Sequence, residues 1–417
     1  MSPAYRGFIG HFFLALCLFL LLLPGYAYEK LSDESLNSLP RASEDYDIHK
    51  GPLLSPILRT RVPGTEGHEA VLEHFANFFR TTLPKWNIEL QNSTSTTPIS
   101  EGKEVPFVNF IASRDPPGTP IGDVGRLTLV AHYDSKLTPT GFIGAIDSAA
   151  PCAILMHAMR TIDVALDAKW AAMRAEGLDP SLEDEHGIQV LFLDGEEAFD
   201  HWTDTDSLYG ARALASNWSS EFYPAMSTYK TPLSSIELFV LLDLLGSKAP
   251  NIQSYYQTTH WAYQSLAQAE ARLRSLGRMK TTSDQHWFPD AKKNSHDVIP
   301  LGGISDDHLP FLARGVEVLH IIDFAPFKGF PPVWHTLDDD AEHLDMATVE
   351  DWGLIITAFA AEWMELEGYL EFGQQTESQS KSRRDEDLEL EAEAIRLNKK
   401  TEFTALLDYL IRIAYPC

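Results

Sequence analysis

The sequence alternates short apolar runs with longer segments in which apolar residues recur every three to four positions. The short runs are rich in Val, Ile, Leu and Phe, which is typical of buried β-strands. Strands are predicted at residues 86–90, 107–112, 127–130, 188–193, 236–242 and 316–322. Helices are predicted at residues 68–83, 149–173, 207–218, 260–276 and 347–370. Because strands and helices alternate, we expect an α/β fold in which a mostly parallel, mixed β-sheet is flanked by helices on both faces.

The first residues of the chain have the pattern of a secretory signal. Arg6 precedes an apolar run over residues 12–23, and the small residues Gly25 and Ala27 follow it. This pattern predicts a signal peptide at residues 1–27 that is cleaved after Ala27. We therefore expect a secreted protein of the secretory pathway. If the segment is retained, it would instead anchor the protein in a membrane, with its body in the Golgi lumen.

The rest of the chain divides into a folded body at residues 28–372 and an extension at residues 373–417. The extension is rich in Gln, Ser, Lys, Arg, Asp and Glu, and we predict a charged linker that ends in a short amphipathic helix. Residues 28–65 are rich in Ser, Pro and Asp and predict an irregular arm. Two glycosylation sequons, at Asn92 and Asn217, agree with life as a lumenal or extracellular glycoprotein.

Composition excludes several classes of protein. Hydrophobic residues make up 44% of the chain, which indicates a globular protein with a large core. The 60 acidic residues against 33 basic ones give a formal charge of -27, which repels nucleic acid and excludes it as a partner. The three cysteines are too few for a disulfide-built scaffold or a thiolate zinc module.

Ionisable residues follow the predicted strands at the points where ligands bind in a parallel sheet. They stand directly after strands, at the start of the helix predicted from residue 149, and after the loop that follows the last strand. These residues are His132, Asp147, Glu196, Glu197, Asp243 and His335. Since the carboxyl ends of parallel strands meet at one edge, we expect the side chains to converge. Converging carboxylates repel one another and are poorly solvated unless a cation lies among them, and zinc accepts both oxygen and nitrogen ligands.

Each of these residues also has a purely structural interpretation. Asp147 is in the position of a helix N-cap, the Glu196–Glu197 pair resembles a solvated turn, and His335 is one of 15 histidines. Their joint occurrence at one sheet edge favours a metal site with three protein ligands and an open position, the catalytic pattern. Adjacent glutamates allow one to bind the ion while the other, with a raised pKa, acts as general base and acid.

The motifs around these residues resemble those of the glutaminyl-peptide cyclotransferases (glutaminyl cyclases), zinc enzymes related in fold to the co-catalytic zinc aminopeptidases. The resemblance covers roughly residues 71–363. It rests on His132-Tyr-Asp-Ser-Lys, Asp147-Ser-Ala-Ala-Pro-Cys-Ala, Leu193-Asp-Gly-Glu-Glu-Ala-Phe, Asp206-Ser-Leu-Tyr-Gly-Ala-Arg, Leu242-Asp-Leu-Leu-Gly, Asp306-Asp-His-Leu-Pro-Phe-Leu-Ala-Arg-Gly-Val, Val318-Leu-His and Val333-Trp-His-Thr-Leu-Asp-Asp. It implies a phosphorylase/hydrolase-like architecture and makes the body at residues 28–372 a zinc-dependent catalytic domain.

The resemblance also implies a role for each site residue. Asp147, Glu197 and His335 would hold one zinc ion per chain. Glu196 would shuttle the proton, Asp243 would receive the substrate amine, and Asp306 would steady the hydrogen bonds around both. His132 would serve a second metal ion or support the ligands of the first. The pocket walls would be Trp202, Ser305, His320, Phe330 and Trp334. The implied reaction converts the N-terminal glutamine of peptides or proteins to pyroglutamate and releases ammonia.

The sequence departs from the family pattern at three places. Ala131 stands where many secreted relatives carry a cysteine that pairs with the one matching Cys152, so the resemblance implies that Cys152 is a free thiol. Ser305 replaces the usual Gln before Asp306, and the loop between His320 and Trp334 is longer, with the extra residues within 323–329. We expect these last two changes to bear on substrate preference.

Two other functions fit the same residues. A two-zinc aminopeptidase would use the same ionisable set, with Asp147 bridging the ions and Glu196 activating a water molecule for hydrolysis. A non-catalytic secreted binding protein would keep only the fold. Trp202, the segment at Asp306 and the Val-Trp setting of His335 favour the cyclotransferase over the peptidase.

Overall fold

A computed structural model describes residues 30–182, 185–282, 286–298 and 303–370. The predicted signal peptide at 1–27 and the extension predicted at 373–417 lie outside these ranges, as do Cys17 and Cys417.

The described residues form one mixed sheet. Its strands are β1 Asn87–Thr96, β2 Glu104–Arg114, β3 Arg126–His132, β4 Gly187–Leu193, β5 Ile236–Asp243 and β6 Val318–Ile322. The spatial order is β1-β2-β4-β3-β5-β6. β3 pairs in parallel with β4 and β5, and β5 with β6, whereas β2 pairs antiparallel with β1 and β4. The predicted α/β class with a mostly parallel mixed sheet is confirmed.

Helices connect the strands. In the described part of the chain the α-helices are α1 Asp33–Ser38, α2 Glu66–Thr82, α3 Ala150–Ala175, α4 Tyr209–Ser220, α5 His260–Ser275, α6 Leu309–Leu312 and α7 Met346–Trp363. Side chains just before two of them act as N-caps: Thr65 Oγ1 accepts a hydrogen bond from the backbone N–H of His68, and the Asp345 carboxylate accepts one from Thr348 N–H. These caps satisfy amides that would otherwise have no partner within the helix.

Both faces of the sheet are covered. On one face Leu191 and Leu193 of β4 share a core cluster with Leu214 and Trp218 of α4. On the other face Phe192 of β4 packs on Phe75 of α2, with ring centroids 4.2 Å apart. Because successive side chains of a strand point to opposite faces, a strand covered on both faces must be apolar throughout, as β4 is.

The long helix α3 is part of this core. The helical stretch Ala145–Ala175 is, among the described residues, long and apolar enough to cross a membrane, but 83% of its most apolar window is buried inside the protein. It also packs against α7.

The largest differences from the predicted elements are in β1, in α7 and in the arm before α2. β1 begins at Asn87 and continues to Thr96, well beyond residue 90, because its polar half pairs with β2 as an edge strand. Helix α7 ends at Trp363 rather than 370, and Glu365 just beyond it has a positive φ of 53°. The arm at residues 28–65, predicted to be irregular, contains the short helix α1.

Candidate active and metal site

The carboxyl ends of three parallel strands deliver most of the site. β3 ends at His132, β4 ends just before the Asp-Gly-Glu-Glu turn, and β5 ends at Asp243. Gly195 makes the turn after β4 possible, since its φ is +67° and a Cβ there would lie 2.5 Å from the Phe107 ring. The turn therefore presents Glu196 and Glu197 at the same sheet edge as the other two residues.

Asp147 and His335 come from loops that one buried side chain ties together. Asp147 lies in the turn Ala145–Ala149 that leads into α3. Asp339 follows His335 in the chain. Its Oδ1 accepts a hydrogen bond from Ile146 N–H at 2.8 Å, and its carbonyl oxygen accepts one from Ala145 N–H at 3.2 Å. The loop that carries His335 is therefore fixed against the turn that carries Asp147.

Asp147, Glu197 and His335 converge on a common point. His335 Nε2 lies 3.5 Å from Asp147 Oδ2 and 3.5 Å from Glu197 Oε1. Both carboxylate oxygens are buried and have no hydrogen-bond partner. Two ligands of a tetrahedral zinc ion lie about 3.3–3.5 Å apart, given metal–ligand distances of about 2.0–2.2 Å. Because unpartnered buried carboxylate oxygens are costly, this arrangement fits a bound divalent cation.

His132 occupies the opposite side of Asp147. Its Nε2 lies 2.9 Å from Asp147 Oδ1 and 3.5 Å from Asp243 Oδ1, and its Nδ1 lies 3.4 Å from Asp134 Oδ1. Burial acts to lower the pKa of His132, but the three carboxylates outweigh it and raise that pKa well above its usual value. His132, Asp147 and Asp243 are also close enough to one another to hold a second ion.

Glu196 and Asp243 have opposite protonation tendencies. Burial raises the pKa of Glu196 well above its usual value, and the Glu197 carboxylate adds to the effect. Burial would also raise the pKa of Asp243, but His132 and the hydroxyl of Ser148, which donates to Asp243 Oδ1, lower it. Two carboxyl groups whose environments separate their pKa values are suited to different tasks: Glu196 to proton transfer and Asp243 to binding a cation.

Asp306 and His320 lie behind these groups. His320 Nε2 is 2.7 Å from Asp306 Oδ2, and Asp306 Oδ1 accepts a hydrogen bond from Asp307 N–H. Burial and the neighbouring Asp243 carboxylate raise the pKa of Asp306. Since both side chains are buried, they act on the site through hydrogen bonds and charge.

A cavity of about 370 Å³ opens beside the metal-ligand cluster. Its aromatic walls are Trp202, Phe330 and Trp334, and Ser305 accepts a hydrogen bond from Trp202 Nε1 at 3.2 Å. His320, predicted as a wall residue, does not line this cavity, because its imidazole is held inward by Asp306 and is 2% exposed. The other lining residues are Lys136, Asp147, Glu196, Asp243, Leu244, Ile304, Ile322 and His335.

Like Asp339, two further residues that position the site escaped the sequence analysis. Asp134, within the His132 motif, is fully buried, and its two oxygens accept hydrogen bonds from Glu196 N–H at 3.0 Å and Glu197 N–H at 3.1 Å. Arg61 lies in the arm before α2, with nothing in its sequence context to distinguish it. The Arg61 guanidinium is buried and donates to the carbonyl oxygens of Arg59, Tyr133, Ile143, Gly144 and Asp147. It thereby fixes the backbone on either side of a metal-ligand candidate.

Cys152 is a free, buried thiol, as the family resemblance implied. Its Sγ lies 3.2 Å from the carbonyl oxygen of His132 and donates to it. Burial raises the pKa of this thiol to about 12, so it is inert at neutral pH.

The chain is similar to known proteins in sequence and in fold. Residues 109–360 match the model of Peptidase family M28. The chain is 35% identical over 317 residues to the glutaminyl-peptide cyclotransferase of Bos taurus, covering 75% of this chain and 81% of the relative. It is 37% identical over 319 residues to the glutaminyl-peptide cyclotransferase-like protein of Mus musculus, covering 76% and 75%. The crystal structure of Macrostomum lignano glutaminyl cyclase aligns with a TM-score of 0.65 at 32% identity, over 82% of this chain and 97% of that one. The chain therefore belongs to the glutaminyl-peptide cyclotransferases, within Peptidase family M28.

Proposed function

We propose that this protein is a zinc-dependent glutaminyl-peptide cyclotransferase that converts the N-terminal glutamine of peptides or proteins to pyroglutamate and releases ammonia. One observation carries the proposal: the unpartnered oxygens of Asp147 and Glu197, with His335 Nε2, lie beside the pocket that also contains Glu196 and Asp243. Relatives that share about a third of their residues with this chain bear the name of this activity.

Asp147, Glu197 and His335 would hold one zinc ion. When bound, the ion supplies a Lewis acid for the γ-carbonyl oxygen of the substrate glutamine. The buried histidine beside these ligands, His132, fixes the orientation of Asp147 through its 2.9 Å contact.

The proton-transfer steps fall to Glu196 and Asp243. Asp243, whose pKa is lowered, remains ionised and holds the substrate α-amine near the γ-carbon. A bond forms between the amine nitrogen and the γ-carbon, and the bond from that carbon to the amide nitrogen breaks. Glu196 accepts a proton from the attacking amine and returns it to the amide nitrogen, which leaves as ammonia. No external nucleophile is required, so orientation by the aromatic walls contributes much of the rate.

The carboxylates clustered around His132 make an aminopeptidase the second candidate function. In that function His132, Asp147 and Asp243 would hold a second ion, and Glu196 would activate water. Trp202 and the Val-Trp setting of His335, which match the cyclotransferases, favour the first function.

The test is incubation of the purified protein with Gln-Ala-Ala-Ala and Ala-Ala-Ala-Ala peptides, with and without a chelator. We expect ammonia release and a pyroglutamyl product from the first peptide, no cleavage of the second, one zinc per chain, and loss of activity after chelation. Release of free amino acids from both peptides, with two zinc per chain, would establish the peptidase instead.

We further propose that the protein enters the secretory pathway. Asn92 and Asn217, the sequon residues, are both exposed, which leaves them accessible to glycosylation. N-terminal sequencing of the expressed protein and glycosidase treatment test this, since a chain that begins at Met1 and carries no glycan would contradict it.

A further inference from the structure

The loop after β6 carries an aromatic side chain that packing does not explain. Residues 325–329 form a tight turn in which Ala325 N–H donates to Gly329 O at 3.0 Å and Gly329 N–H donates to Ala325 O at 2.9 Å. Phe327 lies at its tip with a φ of 69° and a relative exposure of 107%. A positive φ is disfavoured for a bulky side chain, and full exposure of a phenyl ring loses the favourable free energy of burying it in the core.

The base of this turn is continuous with the pocket. Phe324 before the turn contacts Phe330 after it, with ring centroids 5.1 Å apart. Phe330 in turn contacts Trp334 at 4.3 Å, and Trp334 stacks on His335 at 4.0 Å. A row of aromatic rings thus runs from the metal-ligand candidate outward to the turn.

The turn is also firmly held at its base. Phe324 N–H donates to Asn251 O at 3.0 Å, and the Asp323 carboxylate accepts from Asn251 N–H at 2.9 Å. Phe327 is therefore presented from a fixed support. It lies three residues from the pocket residue Phe330, a chain distance of at most about 11 Å.

We propose that Phe327 forms a subsite for an apolar or aromatic side chain in the substrate, downstream of the N-terminal glutamine. This inference rests on the proposed function. The pocket of about 370 Å³ is large enough for the glutamine but not for the chain that follows it, which must leave through the mouth. An extended peptide advances about 3.3 Å per residue, so the second to fourth residues come within reach of the turn.

Four peptides test the subsite: Gln-Ala-Ala-Ala and the three variants with Phe at the second, third or fourth position. We expect kcat/KM for the best Phe-containing peptide to exceed that for Gln-Ala-Ala-Ala by about 3- to 10-fold, the range typical of one aromatic pair. The difference should lie mainly in KM, because the contact is equally strong before and during reaction.

Phe327→Ala should remove most of this preference, and Phe327→Trp should keep it. Phe222→Ala is the matched control, since Phe222 is another exposed phenylalanine, 77% exposed, in a different loop, and the variant should keep the wild-type preference. Equal turnover of the four peptides by the wild type, or an unchanged preference in Phe327→Ala, would overturn the subsite alone. If none of the peptides releases ammonia, the proposed function fails, and the subsite with it.

Discussion

Replacement of Arg61 by Met tests whether one buried cation organises the metal-ligand loop. The Arg61 guanidinium donates to Tyr133 O at 2.5 Å, to Gly144 O at 2.9 Å and to Asp147 O at 3.2 Å. Burial lowers the pKa of Arg61, but an arginine remains protonated in proteins, so these hydrogen bonds are charge-assisted. Methionine has a similar stem and no donor, and would therefore leave several buried carbonyl oxygens unsatisfied.

The size of the effect follows from the number of acceptors lost. Each buried group left without a partner lowers the free energy of unfolding by about 1–3 kcal/mol. Part of this loss is offset, because the variant no longer has to desolvate a buried cation. We expect Arg61→Met to lower the free energy of unfolding by about 3–5 kcal/mol, which lowers Tm by on the order of 5–10 °C in a domain of this size. Since supporting residues of metal ligands typically change affinity 10- to 100-fold, zinc affinity should fall by about that factor.

Two measurements check this prediction: thermal unfolding in the presence of a chelator, and zinc affinity by competition with a chromogenic chelator. Arg59→Met is the matched control, because Arg59 is two residues away and its side chain is exposed. It should unfold and bind zinc as the wild type does. An Arg61→Met protein with wild-type Tm and zinc affinity would refute the structural argument.

Further substitutions address the chemistry and the pH dependence. Glu196→Gln should bind zinc normally but lower ammonia release by about 100-fold or more, and turnover near the wild-type rate would exclude Glu196 as the proton carrier. His335→Ala should lose the metal, as judged by elemental analysis after dialysis; full zinc occupancy would remove His335 from the ligands. Burial raises the pKa of Asp147 to about 6 and that of Asp339 to about 8, against an ordinary value of 3.8. The folded, metal-free protein therefore keeps protons on these two carboxyl groups that the unfolded chain has released. Its stability should fall as pH rises, from about 4 to about 6 because Asp147 loses its proton and up to about 8 because Asp339 loses its own. Bound zinc should abolish the part of this fall in Tm that is due to Asp147, and the substitution Asp339→Asn should abolish the part that is due to Asp339. A Tm that rises over this pH range would contradict both assignments. Deletion of residues 374–417 should leave cyclisation intact, and an inactive but folded truncation would show that the extension contributes to the site.

The sequence alone predicted most of the elements and the sheet edge at which the candidate site residues lie. Apolar periodicity is a local property, so it located most strands and most helices to within a few residues. The placement of His132, Glu196 and Asp243 after apolar runs also predicted their convergence, because parallel strands end at a common edge. The long motifs also indicated the family, which the comparisons confirm.

Tertiary structure decided what depends on contacts between distant segments. The order β1-β2-β4-β3-β5-β6, with β2 antiparallel to its neighbours, is set by long-range pairing that no local pattern specifies. The inward position of His320 depends on its hydrogen bond to Asp306, and the role of Arg61 on carbonyl groups up to 86 residues away. Backbone carbonyls are the same in every residue, so the sequence carries no sign of which ones a buried arginine will bind; only the folded chain brings them together.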